Sequence, residues 1–111
     1  MSPTINRVLF VDDDAAMRSA NAQTLELAGF EPVLAASAMD AIARLEGGFD
    51  GIVVSDIRMP GMDGLQLFEA IRAIDPDLPV ILITGHGDVD MAVSALKRGV
   101  YDFIPKPFAR D

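Results

Sequence analysis

Five short runs of β-branched or aliphatic residues recur along the chain, separated by longer amphipathic segments. Runs of this length with few polar interruptions are typical of strands that are buried on both faces of a sheet. They are Arg7 to Val11, Val33 to Ala36, Ile52 to Ser55, Val80 to Thr84 and Tyr101 to Ile104. The pattern therefore predicts five strands.

The segments between these runs repeat apolar or small residues at the period of a helix. The first stripe is Met17, Ala20, Thr24 and Ala28, and we expect it, like the others, to face the core. Predicted N-caps are Asp14, Ser37 and Asp88, and predicted left-handed C-terminal glycines are Gly29, Gly47 and Gly99. Four helices that alternate with five strands predict an α/β fold with a parallel sheet covered on both faces.

The composition of the chain indicates its size class, its expected location and the partners that its charge disfavours. The chain has 111 residues, half of them hydrophobic, which suits a single domain spanning 1–111. It has no cysteine, no apolar run long enough to span a bilayer and no signal-peptide pattern at its start, so we expect a cytoplasmic protein that does not contact membranes. A net charge of -8 argues against direct binding to nucleic acid.

Polar chemistry follows four of the five predicted strands. In a doubly wound parallel sheet, ligands bind beyond the carboxyl ends of the strands, where the strand order reverses. The residues at those ends are Asp12, Asp13 and Asp14 after the first strand, Asp56 after the third, Thr84 to His86 after the fourth, and Pro105 to Pro107 after the fifth. Asp56 alone could simply begin a loop, but this convergence predicts a site.

Carboxylates brought this close repel one another and need a compensating cation. A hard divalent ion with oxygen ligands suits them, and Mg²⁺ suits a sparse, half-hydrated site better than Ca²⁺. A phosphate is the usual remaining ligand of such an ion. Thr84 and Lys106 are suited to hold phosphoryl oxygens, and Asp56 is suited to be the nucleophile of an aspartyl-phosphate.

Four motifs in order, "LFVDDD", "VVSDIRMPGMDG", "LITGHGD" and "DFIPKPF", resemble the receiver domain of bacterial two-component response regulators across essentially the whole chain. The residues of these motifs are most similar to those of the nitrogen-regulator class, particularly the C4-dicarboxylate transport regulators. The resemblance implies a flavodoxin-like sheet with strand order 2-1-3-4-5. It also implies a sensor histidine kinase as partner, and a longer σ54-dependent transcriptional activator with ATPase and DNA-binding output domains.

The resemblance assigns roles residue by residue. It implies that Asp56 is the phosphoacceptor and that Mg²⁺ is bound by Asp13, by Asp12 through water, by Asp56 and by the backbone carbonyl of Arg58. Thr84 and Lys106 would hold the phosphoryl group, with a cis bond between Lys106 and Pro107. Asp14 matches no required ligand and is interpreted as a helix cap.

Three further residues concern switching and its rate. The resemblance implies that Thr84 moves toward the phosphate and vacates space for Phe103, although a purely structural role for this strand aromatic is equally compatible with the pattern. Arg58 and His86 would tune how fast the phosphate hydrolyses, with His86 at the rim of the site. The domain would therefore be a switch that takes part in phosphotransfer and its own dephosphorylation, not an enzyme.

The chain ends where members of this family continue into a fifth helix. We therefore expect an N-terminal excerpt of a longer regulator, with open apolar sheet surface that favours a homodimer or an exchange of elements. Two other functions stay open. One is a phosphorylation-independent interaction module of the same fold. The other is a Mg²⁺-dependent aspartyl phosphatase, which would need an acidic residue as general acid at the position of Arg58.

Overall fold

The computed structural model describes residues 6–85 and 88–105, and this part of the chain alternates five strands with four helices. In order they are β1 (Arg7–Val11), α1 (Ala15–Leu27), β2 (Glu31–Ala35), α2 (Ala38–Leu45), β3 (Ile52–Asp56), α3 (Gly64–Ile74), β4 (Val80–Thr84), α4 (Val89–Arg98) and β5 (Asp102–Pro105). All five predicted strands are confirmed, with bounds that shift by at most two residues. None of the four helices in the described ranges is long and apolar enough to cross a bilayer.

The strands form one parallel sheet in the order β2-β1-β3-β4-β5, as predicted. Strand order reverses at β1, because the chain moves outward to β2 and then returns past β1 to β3. Right-handed crossovers consequently place α1 on one face of the sheet and α2, α3 and α4 on the other. The carboxyl ends of β1 and β3 lie side by side at this switch point.

The two faces of the sheet are covered unequally. Side chains that point toward α2, α3 and α4 are fully buried, as Val53 and Leu82 show, whereas the alternate residues Val54 and Ile83 are only half-buried. The larger part of the core therefore lies on the three-helix face, while Phe10 of β1 is buried on the α1 face. It is built mainly from Leu9, Val11, Ala41, Val53, Leu67, Ile71, Leu82 and Ala95.

The predicted apolar stripe of α1 is wrong. Met17, Ala20, Thr24 and Ala28 are all exposed, and α1 contributes no buried residue. The half-buried residues of α1 are Arg18, Asn21, Ala22 and Leu25, which lie on a different side of the helix. Alanines on several sides gave α1 no single apolar face from which its orientation could be read.

Two of the three predicted N-caps are confirmed. The Asp14 carboxylate accepts hydrogen bonds from the backbone of Ala16 and Met17, and the Ser37 hydroxyl accepts one from Asp40. Asp88 stands at the N-cap position of α4, but its side chain makes no capping hydrogen bond, so that part of the prediction is wrong. Its carboxylate instead accepts hydrogen bonds from Arg58 and Gly85.

Candidate functional site

Three carboxylates meet at the switch point of the sheet. Asp12 follows β1 directly and Asp56 ends β3, and the pairing of Val11 with Ser55 puts these two aspartates next to each other. Carboxylate oxygens of Asp12, Asp13 and Asp56 all lie within 4.8 Å of one another. Asp12 and Asp56 are 3% and 4% exposed, whereas Asp13 is exposed to solvent, so the cluster is a pocket open on one side.

Backbone N–H groups hold the two buried carboxylates in place. The Asp14 N–H donates to Asp12 Oδ1 at 2.9 Å, and the Arg58 N–H donates to Asp56 Oδ1 at 3.1 Å. Both bonds span two residues, a geometry in which an aspartate side chain closes a local turn. The turns that leave β1 and β3 therefore orient the carboxylates from within the chain itself.

Arg18 supports this cluster, although no sequence motif pointed to it. Its Nη1 donates to the backbone carbonyl of Asp12 at 2.7 Å, and this brings a guanidinium from α1 up to the acidic edge. Arg18 lies one helical turn after the N-cap Asp14, so its position on α1 was the only local signal. A cation here offsets part of the negative charge that the strands bring together.

The donor set of this cluster fits a magnesium ion. It consists of three carboxylates, which are hard oxygen ligands, and one of them is open to solvent. Mg²⁺ prefers such ligands and keeps several waters, which the exposed side of the pocket allows. At 4.8 Å, two of these charges repel by on the order of 3 kcal/mol at the effective dielectric of a protein surface.

We expect Asp13→Asn to stabilise the metal-free chain and to weaken its response to Mg²⁺. Removing one like charge from an exposed position should raise the free energy of unfolding by about 1 kcal/mol after solvent screening. Added Mg²⁺ should stabilise the wild type more than the variant, since binding to the folded state alone shifts the unfolding equilibrium. Urea unfolding in chelator and in excess Mg²⁺ measures both effects, with the exposed Asp50→Asn as a control of equal charge change. Equal stabilisation of wild type and Asp13→Asn by Mg²⁺ would contradict the assignment.

Thr84 and Phe103 lie on the two strands beyond β3. Thr84 ends β4 and is 2% exposed; its neighbour Ile83 pairs with Asp56, so Thr84 stands one residue further along the same edge. Phe103, on β5, pairs with Leu82 of β4 and is half-buried against the core. These positions agree with either reading of Phe103, as a switching residue or as a core residue.

Arg58 and Asp88 form an ion pair that joins the loops after β3 and β4. Arg58 Nε lies 2.6 Å from Asp88 Oδ1, with the Arg58 side chain 70% exposed and the Asp88 side chain only 3% exposed. The other oxygen, Asp88 Oδ2, accepts from the Gly85 N–H at 3.2 Å. This explains why Asp88 does not cap α4.

Three sequence-based assignments concern residues outside the described ranges. They are the phosphate-holding role of Lys106, the tuning role of His86 and the cis bond between Lys106 and Pro107. The described part of the chain brings together Asp12, Asp13 and Asp56, with Thr84 further along the same edge.

Comparison with known proteins agrees with this arrangement. Residues 8–111 match the family model described as the response regulator receiver domain. The C4-dicarboxylate transport transcriptional regulatory protein DctD of Rhizobium meliloti is 62% identical over 104 residues, which are 94% of this chain and 23% of that protein. The DNA-binding transcriptional regulator NtrC of Salmonella typhimurium is 42% identical over 94% of this chain and 22% of its own length. The chain thus spans less than a quarter of these two relatives.

Solved structures show the same fold. A response regulator receiver domain protein from Clostridium thermocellum superposes with a TM-score of 0.88 at 30% identity, covering 93% of this chain and 83% of that one. NtrX from Brucella abortus superposes with a TM-score of 0.86 at 40% identity, covering 95% of this chain and 24% of that one. The predicted resemblance to the nitrogen-regulator class is confirmed.

Proposed function

Because the chain belongs to the family of response regulator receiver domains, we propose that it is a phosphorylation-controlled switch with Asp56 as its phosphoacceptor. A sensor histidine kinase supplies the phosphoryl group, and the resulting change in conformation controls a downstream output. The observation that carries this proposal is the cluster of Asp12, Asp13 and Asp56 at the switch point, with Asp56 delivered by the end of β3. Asp14 has no part in the chemistry and caps α1.

In the proposed reaction, a carboxylate oxygen of Asp56 attacks the phosphorus of a phosphohistidine. The new O–P bond forms as the P–N bond breaks, and the imidazole, which carries a proton on its other ring nitrogen, leaves as a neutral ring with the electron pair of that bond. The Arg58 N–H already donates to Asp56 Oδ1, which fixes the plane of the carboxylate before the donor arrives. We further propose that the Thr84 hydroxyl and the Lys106 ammonium bind phosphoryl oxygens as charge accumulates on them.

The side chains of Asp12, Asp13 and Asp56, together with the Arg58 carbonyl, are proposed to hold Mg²⁺. When bound, this ion neutralises the negative charge that the carboxylates and the phosphoryl oxygens bring together. Burial of Asp12 and Asp56 favours such neutralisation, because a charge shielded from water depends more on its neighbours. Asp13 provides the exposed side through which a hydrated ion enters.

The proposal is tested by intact mass after incubation with acetyl phosphate, with Mg²⁺ and with chelator. We expect a single phosphoryl adduct that forms only with Mg²⁺, since the chain then carries less uncompensated charge at Asp56. Circular dichroism and Mg²⁺-induced stabilisation on the same sample establish that it is folded. A folded, Mg²⁺-binding sample without an adduct would favour the phosphorylation-independent interaction module instead.

An aspartyl phosphatase is disfavoured by Arg58. Such an enzyme needs a general acid two residues beyond its nucleophile. In this chain that position is occupied by Arg58, a cation paired with Asp88. The charged guanidinium does not give up a proton at neutral pH. A switch therefore accounts for this site better than an enzyme that turns over a phosphorylated substrate. We propose that Arg58 and His86 set the rate at which the phosphoryl group is lost, and that Phe103 responds to the movement of Thr84.

We propose that the chain is the receiver part of a longer transcriptional regulator with ATPase and DNA-binding output domains. Support comes from relatives such as DctD and NtrC, which are named as transcriptional regulators and are several times longer than the matched segment. A negatively charged receiver does not itself suit contact with DNA, so the output domains would make it. A cytoplasmic location stays a prediction.

Self-association is proposed through the α1 face of the sheet. A groove of about 250 Å³ runs between α1 and the sheet, with Leu25, Val54, Ile83 and Ile104 among its lining residues. Ile104 is 49% exposed, so apolar surface faces solvent here. The two most direct occupants are the same face of a second copy and an exchanged element.

We expect this chain to elute as a dimer in size-exclusion chromatography at high concentration, and Ile104→Lys to elute as a monomer. A charge in the groove would have to be desolvated in the dimer, which disfavours association. Tyr101→Lys is the control, because Tyr101 is 72% exposed but does not line the groove. A wild-type profile that contains only monomer at high concentration would contradict the proposal.

A further inference from the structure

Asp88 is placed as a helix cap but does not act as one. It is 2% exposed and precedes α4, yet its φ of -102° and ψ of 13° are not the extended values of a capping residue. Its carboxylate makes no hydrogen bond to the first turn of α4. Because a buried carboxylate needs hydrogen-bond donors, Asp88 must have partners other than the first turn of α4.

Those partners belong to the two loops that border Asp56. Asp88 Oδ1 accepts from Arg58 Nε at 2.6 Å, and Asp88 Oδ2 accepts from the Gly85 N–H at 3.2 Å. Arg58 lies two residues after Asp56 and donates its own backbone N–H to that carboxylate. Gly85 directly follows Thr84, at the end of the strand that pairs with β3. Asp88 is thus an anion that bridges both sides of the acceptor site.

We propose that Asp88 is a positioning residue that competes with the phosphoryl group for these two donors. In the unmodified chain its carboxylate occupies the Arg58 guanidinium and the Gly85 amide. Phosphorylation of Asp56 supplies oxygens that take over one or both donors, and Asp88 is released. This inference rests on the proposed function, because it takes Asp56 as the acceptor.

The charges and the mobility of the two partners favour this exchange. A phosphoryl group carries close to two negative charges and three acceptor oxygens, whereas Asp88 carries one charge. The planar guanidinium matches phosphate geometry well, and the Arg58 side chain is 70% exposed, so it is free to turn toward a new partner. Asp88 is buried and cannot follow Arg58 into solvent.

Release of Asp88 has a consequence for α4. The carboxylate is already at the N-cap position, so its release from Arg58, with a shift of the Asp88 backbone toward extended values, allows it to cap the first turn of α4. The loop after β4 also loses its link to the loop after β3. Phosphorylation at Asp56 would therefore change the start of α4 through Asp88, independently of any movement of Phe103.

The inference is tested by the affinity for beryllofluoride, a phosphoryl analogue, in the presence of Mg²⁺. We expect Asp88→Asn to bind about tenfold more tightly than wild type, because the competing charge is gone while Arg58 and Gly85 remain. Arg58→Gln should bind no more tightly than wild type, since it removes a donor that both anions use. Glu69→Gln is the control for loss of an ion pair elsewhere: it breaks the contact of Glu69 Oε2 with Arg98 Nη1 at 3.1 Å, away from the acceptor site, and should leave the affinity unchanged.

Equal or weaker binding by folded Asp88→Asn would overturn the inference. A second measurement uses the wild type alone, so that it does not depend on the variant folding. The NMR signals of the Asp88 carboxyl carbon and of Arg58 Nε should both shift when beryllofluoride saturates the site, and unchanged signals would overturn the inference while leaving the proposed function intact. Failure of the wild type to bind beryllofluoride would overturn both.

Discussion

Asp56→Asn should abolish the Mg²⁺-dependent phosphoryl adduct, to below the detection limit of intact mass. The amide oxygen of asparagine is a poor nucleophile, and the substitution keeps the size and shape of the side chain. The loss is expected to be complete, because Asp56 is the member of the cluster that ends β3, and the neighbouring strand β4 ends in Thr84. Phosphorylation at another carboxylate would leave the adduct in place.

The variant should remain folded, which makes the loss interpretable. Replacing Asp56 removes one of three like charges that lie within 4.8 Å of one another, so the metal-free chain should be at least as stable as wild type. Asp50→Asn, an exposed change of the same kind, should keep the full adduct. An undiminished adduct on folded Asp56→Asn would move the acceptor to Asp12 or Asp13 and overturn the assignment.

The strand ends and their acids were predictable because local pattern encodes them. An apolar β-branched run followed by Asp12 or Asp56 is visible in a few residues, and the parallel topology then brings the two ends together. The resemblance to receiver domains added the roles and the strand order. Neither step needed knowledge of side-chain contacts.

The features that escaped prediction depend on contacts between distant segments. Asp88 looks like an ordinary cap in sequence, and nothing local shows that Arg58, thirty residues away, engages its carboxylate. The side of α1 that faces the sheet was likewise ambiguous, because small residues occur around the whole helix. Arg18, half-buried and bonded to Asp12, became visible only when the fold placed it.

Gly64→Ala should lower the free energy of unfolding by about 3 kcal/mol, even though alanine is the better helix former. Gly64 is buried at the start of α3, where a Cβ would stand 2.4 Å from the Asp56 carbonyl oxygen and 2.8 Å from Ile57 Cα. Both atoms belong to the backbone that carries Asp56, and the Gly64 N–H donates to the Ile57 carbonyl at 2.9 Å. The clash therefore cannot be relieved by rotating a side chain.

Relief of this clash has to move either α3 or the end of β3, so the chemistry should suffer together with stability. Among folded molecules at low temperature, Gly64→Ala should bind Mg²⁺ more weakly than wild type and form the adduct more slowly. Gly61→Ala is the matched control in the same loop: its φ of +76° imposes strain of about 1 kcal/mol, but a Cβ there meets nothing within 4 Å. Urea unfolding and adduct yield measured on both variants separate the two effects. A Gly64→Ala protein as stable as Gly61→Ala, with wild-type adduct formation, would show that the backbone around Asp56 can yield and that this close approach does not position the acceptor.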